Sequence, residues 1–176
     1  MRFVGYMLVL AACSSMSAAT LERLTVEEMA QQATSIVRGH VGEARSDRFG
    51  ALVYTLHRFE VQEQWTGSPI AGLEVAIPGG TYEGLTYRFG GTPELEPGDE
   101  YVLFLWTGPS GRTQIVGLSQ GVFQVVRQAE GPVVIRNPVG DTLFVGDSDE
   151  NVDQAVQMPL ERLAARVRAA VAEIDD

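Results

Sequence analysis

The sequence predicts a mainly β fold, a barrel or sandwich of short strands with a short helix ahead of it and an amphipathic helix behind it. Three observations carry this reading. Apolar residues recur with period two in seven or eight short segments, separated by Gly/Pro/Asp turns at close, regular intervals. A capping-box pattern, Thr25-Val26-Glu27-Glu28, precedes them. Leu160, Leu163, Val167, Val171 and Ile174 follow them as one stripe at three- and four-residue spacing.

Taken in order, the capping box starts a short helix running from Val26 to about Gln32, because Thr25 accepts from an orphan amide while Glu28 reaches back. Residues 35–42 read as a strand whose glycines ease a bend. Residues 52–65 form a longer one, with Val53, Thr55, His57, Phe59 and Val61 on a single face. Residues 73–77 are a third strand, closed by Pro78-Gly79-Gly80, and 81–89 a fourth. The Gly90–Asp99 stretch is turn chemistry, where Glu94, Glu96, Asp99 and Glu100 read as solvated acids. Residues 101–106 (YVLFLW) are continuously apolar and predict the most buried strand. Strands at 113–116, 122–127 and 133–136 complete the set. The last helix spans 159–174, with Pro159 at its first position, where a fixed φ is an advantage.

Ahead of this domain, residues 1–19 carry the three parts of a secretory signal peptide: Arg2, an apolar run from Phe3 to Ala12, and a small-residue stretch ending in Ala19. The run is about half the roughly 20 residues that a spanning helix needs. Cleavage is expected between Ala19 and Thr20, leaving one domain over 20–176 in the periplasm or secreted. Leu10-Ala11-Ala12-Cys13 also matches a lipobox, in which Cys13 would be lipidated and become the first residue of a membrane-anchored lipoprotein. Cys13 is the chain's only cysteine, so no internal disulfide forms. A domain of this length buries about 70% of its unfolded surface and needs no such staple.

The formal charge of −10 argues against nucleic acid and anionic membrane surfaces as partners. All 13 basic residues are arginine, which excludes a lysine base or Schiff base. Gly117-Leu118-Ser119-Gln120-Gly121 matches the G-x-S-x-G of serine hydrolases, yet the segment after it reads as strand and no histidine follows His57. Asp147, Asp149, Asn151 and Asp153 alternate like the first ligands of a calcium loop. Val152 then replaces the turn glycine and Met158 the bidentate glutamate, leaving a weak calcium candidate. His40 and His57, the two histidines, read as strand residues rather than metal ligands. No catalytic set and no cofactor site emerges.

The helix at 25–32 leading into SIVRGHVGEA, the strand YTLHRFEVQEQWTG and the phrase ELEPGDEYVLFL together resemble the netrin-like domain of tissue inhibitors of metalloproteinases. The phrase GLSQGVFQV is similar to one shared by a group of exported bacterial proteins of unassigned function. The resemblance covers roughly residues 25–126 and the terminal helix. It implies an OB-like closed barrel of five to eight short strands, five in its core. Those inhibitors chelate zinc through an N-terminal cysteine held by disulfides, for which this chain has no counterpart. The expected function is an exported, non-enzymatic module binding a protein partner, a secreted protease being one candidate. A lipid-anchored structural or envelope-associated protein is the alternative, and an enzyme assembled by the fold is third.

Overall fold

Period-two patterning commits most of the chain to strands, and the computed structural model describes residues 20–21, 23–70, 72–137, 143–144 and 155–173 as a mainly β protein. The elements are β1 (Thr20–Leu21), α1 (Val26–Gln32), β2 (Ser35–Phe49), β3 (Leu52–Thr66), β4 (Gly72–Pro78), β5 (Gly80–Tyr82) and β6 (Leu85–Tyr87). There follow β7 (Glu100–Thr107), β8 (Thr113–Ile115), a 3₁₀ turn (Leu118–Gly121), β9 (Val122–Gln128), β10 (Gly131–Arg136), β11 (Leu143–Phe144), β12 (Val156–Pro159) and α2 (Leu160–Ala172). The main sheet runs β12-β10-β9-β7-β2-β3-β4-β8, and β8 pairs back onto β7. Pairing therefore returns on itself through β7, β2, β3, β4 and β8. Only β4–β8 is parallel within that circuit, through the single bridge Val75–Thr113.

Helix α1 has the predicted bounds and its capping box is complete: Thr25 Oγ1 accepts from Glu28 N–H, and Glu28 Oε2 accepts from Thr25 N–H at 2.8 Å. Strand β7 is as buried as its sequence predicts, with Val102, Leu103, Phe104 and Leu105 at 0% exposure. Trp106, its last large residue, is instead 43% exposed because it lies past the covered part of the strand.

Four expectations are corrected. The first strand does not stop at Gly42 but continues to Phe49, because Gly42 and Glu43 together oppose Arg58 and form a bulge that carries pairing onward. The 81–89 segment is a hairpin rather than one strand; Glu83 and Gly84, both at positive φ (50° and 79°), reverse the chain between β5 and β6. Pro159 caps α2 instead of starting it. Its ψ of 139° keeps it paired with Val133 as the last residue of β12, so the helix begins at Leu160. Glu100 is buried, for reasons given below. On α2, Leu160, Leu163 and Val167 are buried and Val171 half-buried, and Ile174 lies outside the described residues.

Two main apolar layers result. One lies within the strand circuit and gathers Val37, Phe59, Val75, Leu103, Leu105 and Leu95. The other packs Ile36, Phe104 and Phe123 beneath α1 and α2, with the two phenylalanine rings 5.7 Å apart. Arg166 on α2 grips Glu27 on α1 through two hydrogen bonds of 2.7 and 2.6 Å, which hold the Glu27 carboxyl below the ordinary carboxylate range. A small third cluster, Tyr54, Leu56 and Ala76, lies apart from both. Beside it the Arg112 guanidinium stacks on Phe49 and Tyr54 at 4.4 and 4.7 Å.

Candidate functional site

Between β6 and β7 the chain runs from Arg88 to Asp99 without regular structure. Connections of about a dozen residues are uncommon unless they serve a purpose. This one is anchored rather than loose. Leu95, 5% exposed, plugs the inner apolar layer. Gly98 N–H donates to Val41 O at 2.7 Å, Glu96 N–H to Tyr101 Oη at 3.2 Å, and Ser119 N–H to Gly91 O at 3.1 Å. At its approach, Gly80 crosses the β2–β3 ribbon so closely that a Cβ there would strike the Thr55 and Ser46 hydroxyls.

Three clefts meet along this segment, and Pro93 borders all of them. The first, about 600 Å³, lies between the β5–β6 hairpin and the ends of β3 and β4, with Thr55, His57 and Ile77 on its wall and Arg88, Glu94 and Glu96 in its lining. The second, about 380 Å³, lies across the loop and is lined by Tyr101, Ser119, Gln124 and Asn137 together with Thr92 and Glu94. The third, about 450 Å³, follows the opening between β4 and β8 past Ala76, Ile77, Trp106 and Leu118.

Two buried polar side chains reach these clefts without a hydrogen-bond partner. His57 is 8% exposed and its side chain makes no hydrogen bond among the described residues; Nδ1 is fully enclosed. Burial alone lowers its pKa from the ordinary value of 6.5, keeping the imidazole neutral. Ser119 is 4% exposed and its Oγ is unpartnered. Burial is also the main cause that raises the pKa of Tyr101, so its phenol stays protonated at neutral pH. Asp99 accepts from Gln124 Nε2 at 2.7 Å.

The depressed pKa of His57 makes stability depend on pH in a definite direction. Between its folded value and 6.5 the unfolded chain binds more protons, so stability falls as pH drops through that window. Wild type should therefore lose more stability than His57→Gln between about pH 7.5 and about pH 5.5, measured by urea unfolding. Equal losses would mean the imidazole is not buried in solution.

The sequence-derived candidates are distributed as follows. Ser119 sits in the 3₁₀ turn, and strand β9, not a helix, follows it, so the hydrolase elbow is absent at this motif. His40 is a half-buried residue of β2. Glu94 and Glu96 are exposed as expected. Glu100 is the correction: only 7% exposed, it accepts from Arg38 Nε at 2.6 Å and from Arg127 Nη2 at 3.2 Å. It lies inside β7, where strands β2 and β9 bring those arginines over it. Cys13, Ala19, Asp147, Asp149, Asn151 and Asp153 lie outside the described residues; Thr20 is described only as pairing with Leu143. Among the described residues no three His, Cys, Asp or Glu side chains are grouped to hold a metal, and no helix is long and apolar enough to cross a membrane.

The sequence reading missed the cleft over His57 and the apolar lip beside it. Leu85 is 63% exposed, Tyr87 36% and Phe89 40%, at alternate positions along and just past β6. The alternation itself was a legible signal, but without a buried face to pair with it read as an ordinary strand. Comparison with family models, curated proteins and solved structures found no match.

Proposed function

We propose that this chain is an exported, non-enzymatic binding module that holds a protein partner against the β5–β6 lip and the cleft beside it. The observation that carries this is the stripe Leu85, Tyr87 and Phe89, exposed at alternate positions along and just past β6, which pairs with β5 as a hairpin outside the main sheet. Contiguous exposed apolar groups rimmed by polar residues mark interaction sites. The fold reading that accompanies it is an OB-like closed barrel. It is supported by the five-strand circuit of pairings, antiparallel except for β4–β8, and by the resemblance to netrin-like domains. Export to the periplasm or beyond rests on the leader, residues 1–19.

A photo-crosslinking residue at Leu85, in the chain expressed in its own host, should give one discrete adduct with an identifiable protein. Tyr87→Ser with Phe89→Ser should abolish it. A spread of adducts matching that from a control position at Arg168 on α2 would defeat the proposal. A second reading, anchoring of the module to the membrane by lipidation, is favoured by the phrase Leu10-Ala11-Ala12-Cys13. It requires the mature protein to begin at a lipidated Cys13 and to leave the membrane fraction on Cys13→Ser; an intact mass starting at Thr20 would rule it out.

A further inference from the structure

We propose that the opening between β4 and β8 is a strand-addition site, taking an extended, uncharged apolar peptide segment that pairs through its backbone with Ile115. The site is separate from the β5–β6 lip, whose three apolar residues do not line it. In antiparallel pairs, alternate residues turn both backbone groups to one neighbour, and the residues between turn them to the opposite side. Gly79 N–H donates to Val53 O at 2.8 Å, and the β3–β4 ladder continues from there without a shift, so Val75 and Ile77 turn their backbone groups to β3. Those of Glu74, Ala76 and Pro78 face β8. Across β7–β8, Val116 N–H donates to Phe104 O at 2.9 Å and Gly108 N–H to Arg112 O at 3.1 Å. The same alternation turns Gln114 to β7 and leaves Thr113 and Ile115 facing β4.

The two strands meet at the bridge Val75–Thr113 and part beyond it. To continue, the parallel ladder would need Ile115 N–H on Ala76 O, and then an N–H at position 78 on Ile115 O. The first bond would bridge Ala76 to Gln114, and no such bridge forms. The second has no donor, because residue 78 is proline. Ile115 N–H and C=O and Ala76 C=O therefore turn into the gap without a partner among the described residues. The gap is a cleft of about 450 Å³, where Ile77, Pro78, Pro93, Trp106 and Leu118 also line the walls and no described lining residue is charged. Leu118 holds φ at 56°, a left-handed conformation in which a bulky residue is strained, and such strain gathers at binding sites. These groups decide what fills the gap. An N–H and a C=O on one side of one residue are complemented by one residue of an added strand, which exchanges two hydrogen bonds with it. An apolar small molecule would leave both groups unmet, and a charged segment would lose its hydration with no counter-charge to replace it.

The test is amide hydrogen exchange and NMR titration of the isotope-labelled protein purified from its own host. In the free protein the Ile115 amide is expected to exchange about tenfold or more faster than those of Gln114 and Val116, which are bonded to β7. The peptide Ac-Ser-Val-Leu-Val-Ser-amide should then protect Ile115 and shift the Trp106 indole. N-methylation of the peptide, one residue at a time, should weaken binding about tenfold at the residue paired with Ile115 and less at its two neighbours. Replacing the peptide leucine with aspartate should abolish binding. An Ile115 amide as protected as its neighbours in dilute free protein would mean that β4 and β8 close on each other, and would overturn the proposal. Protection that grows with protein concentration would make a second copy the occupant and overturn it equally. So would a peptide that leaves Ile115 unprotected, or one whose N-methylated forms all bind alike. The Leu85 crosslink reads the lip alone, so failure here and failure of the binding-module reading are told apart.

Discussion

Gly39→Ala is expected to be the most damaging single substitution in this chain, costing about 3 kcal/mol or more and leaving little folded protein in a marginal background. Gly39 lies where β2 is paired on both sides, with Val61 of β3 and Tyr101 of β7. A Cβ there would run into the backbone carbonyl oxygen of Glu60, and would also stand 2.9 Å from that carbonyl carbon and 3.0 Å from the Phe59 ring. Backbone cannot swing away as a side-chain tip can. Strand β3 would have to move, and it is held from Tyr54 to Glu60 by β4. Gly72→Ala is the control, because its Cβ would meet only the Phe59 carbonyl oxygen at 3.4 Å. Urea midpoints should separate the two variants widely. A Gly39→Ala midpoint equal to that of Gly72→Ala would show that the strands do not approach this closely in solution.

Glu100→Ala is expected to cost about 3 kcal/mol, the lower end for breaking a buried ion pair. The Glu100 side chain is 6% exposed and that of Arg38 20%, so removal of the carboxylate leaves a guanidinium largely out of water. Glu63, 3.2 Å from Arg38 and half exposed, offsets part of the loss. Arg127 is 74% exposed, and Arg127→Ala should cost less than about 1 kcal/mol. The double variant Arg38→Met/Glu100→Leu should recover much of the stability, since apolar replacements of similar size remove the desolvation penalty along with the charges. A cycle of denaturation measurements decides this. If Glu100→Ala loses under about 1 kcal/mol, the network is solvated and merely decorative.

These two residues also mark where sequence reasoning stopped. Gly39 was legible as a glycine in a strand, and the bend it suggested falls close by, at the Gly42–Glu43 bulge. What the pattern did not contain was the carbonyl of Glu60 above it. Glu100 follows Pro97-Gly98-Asp99, a phrase that reads as turn, and so it was grouped with solvated acids. Its partners stand 62 and 27 residues away in sequence, beyond any local signal. His57 was placed on one strand face with Val53 and Phe59, all of them buried in the structure, yet its lack of a side-chain partner depends on where loop 88–96 and the β5–β6 hairpin settle.

By itself the sequence determined the elements whose causes are local. The capping box set the start of α1, the apolar run in β7 set the most buried strand, and the stripe on α2 set its packed face. It also carried the acidic balance, which is a property of composition alone. Tertiary structure decided the β2 bulge, the hairpin at 80–87, the burial of Glu100 and the cleft over His57. Each depends on which distant strand lies alongside, and strand pairing is settled by non-local hydrogen bonds and shared burial rather than by neighbours in the chain.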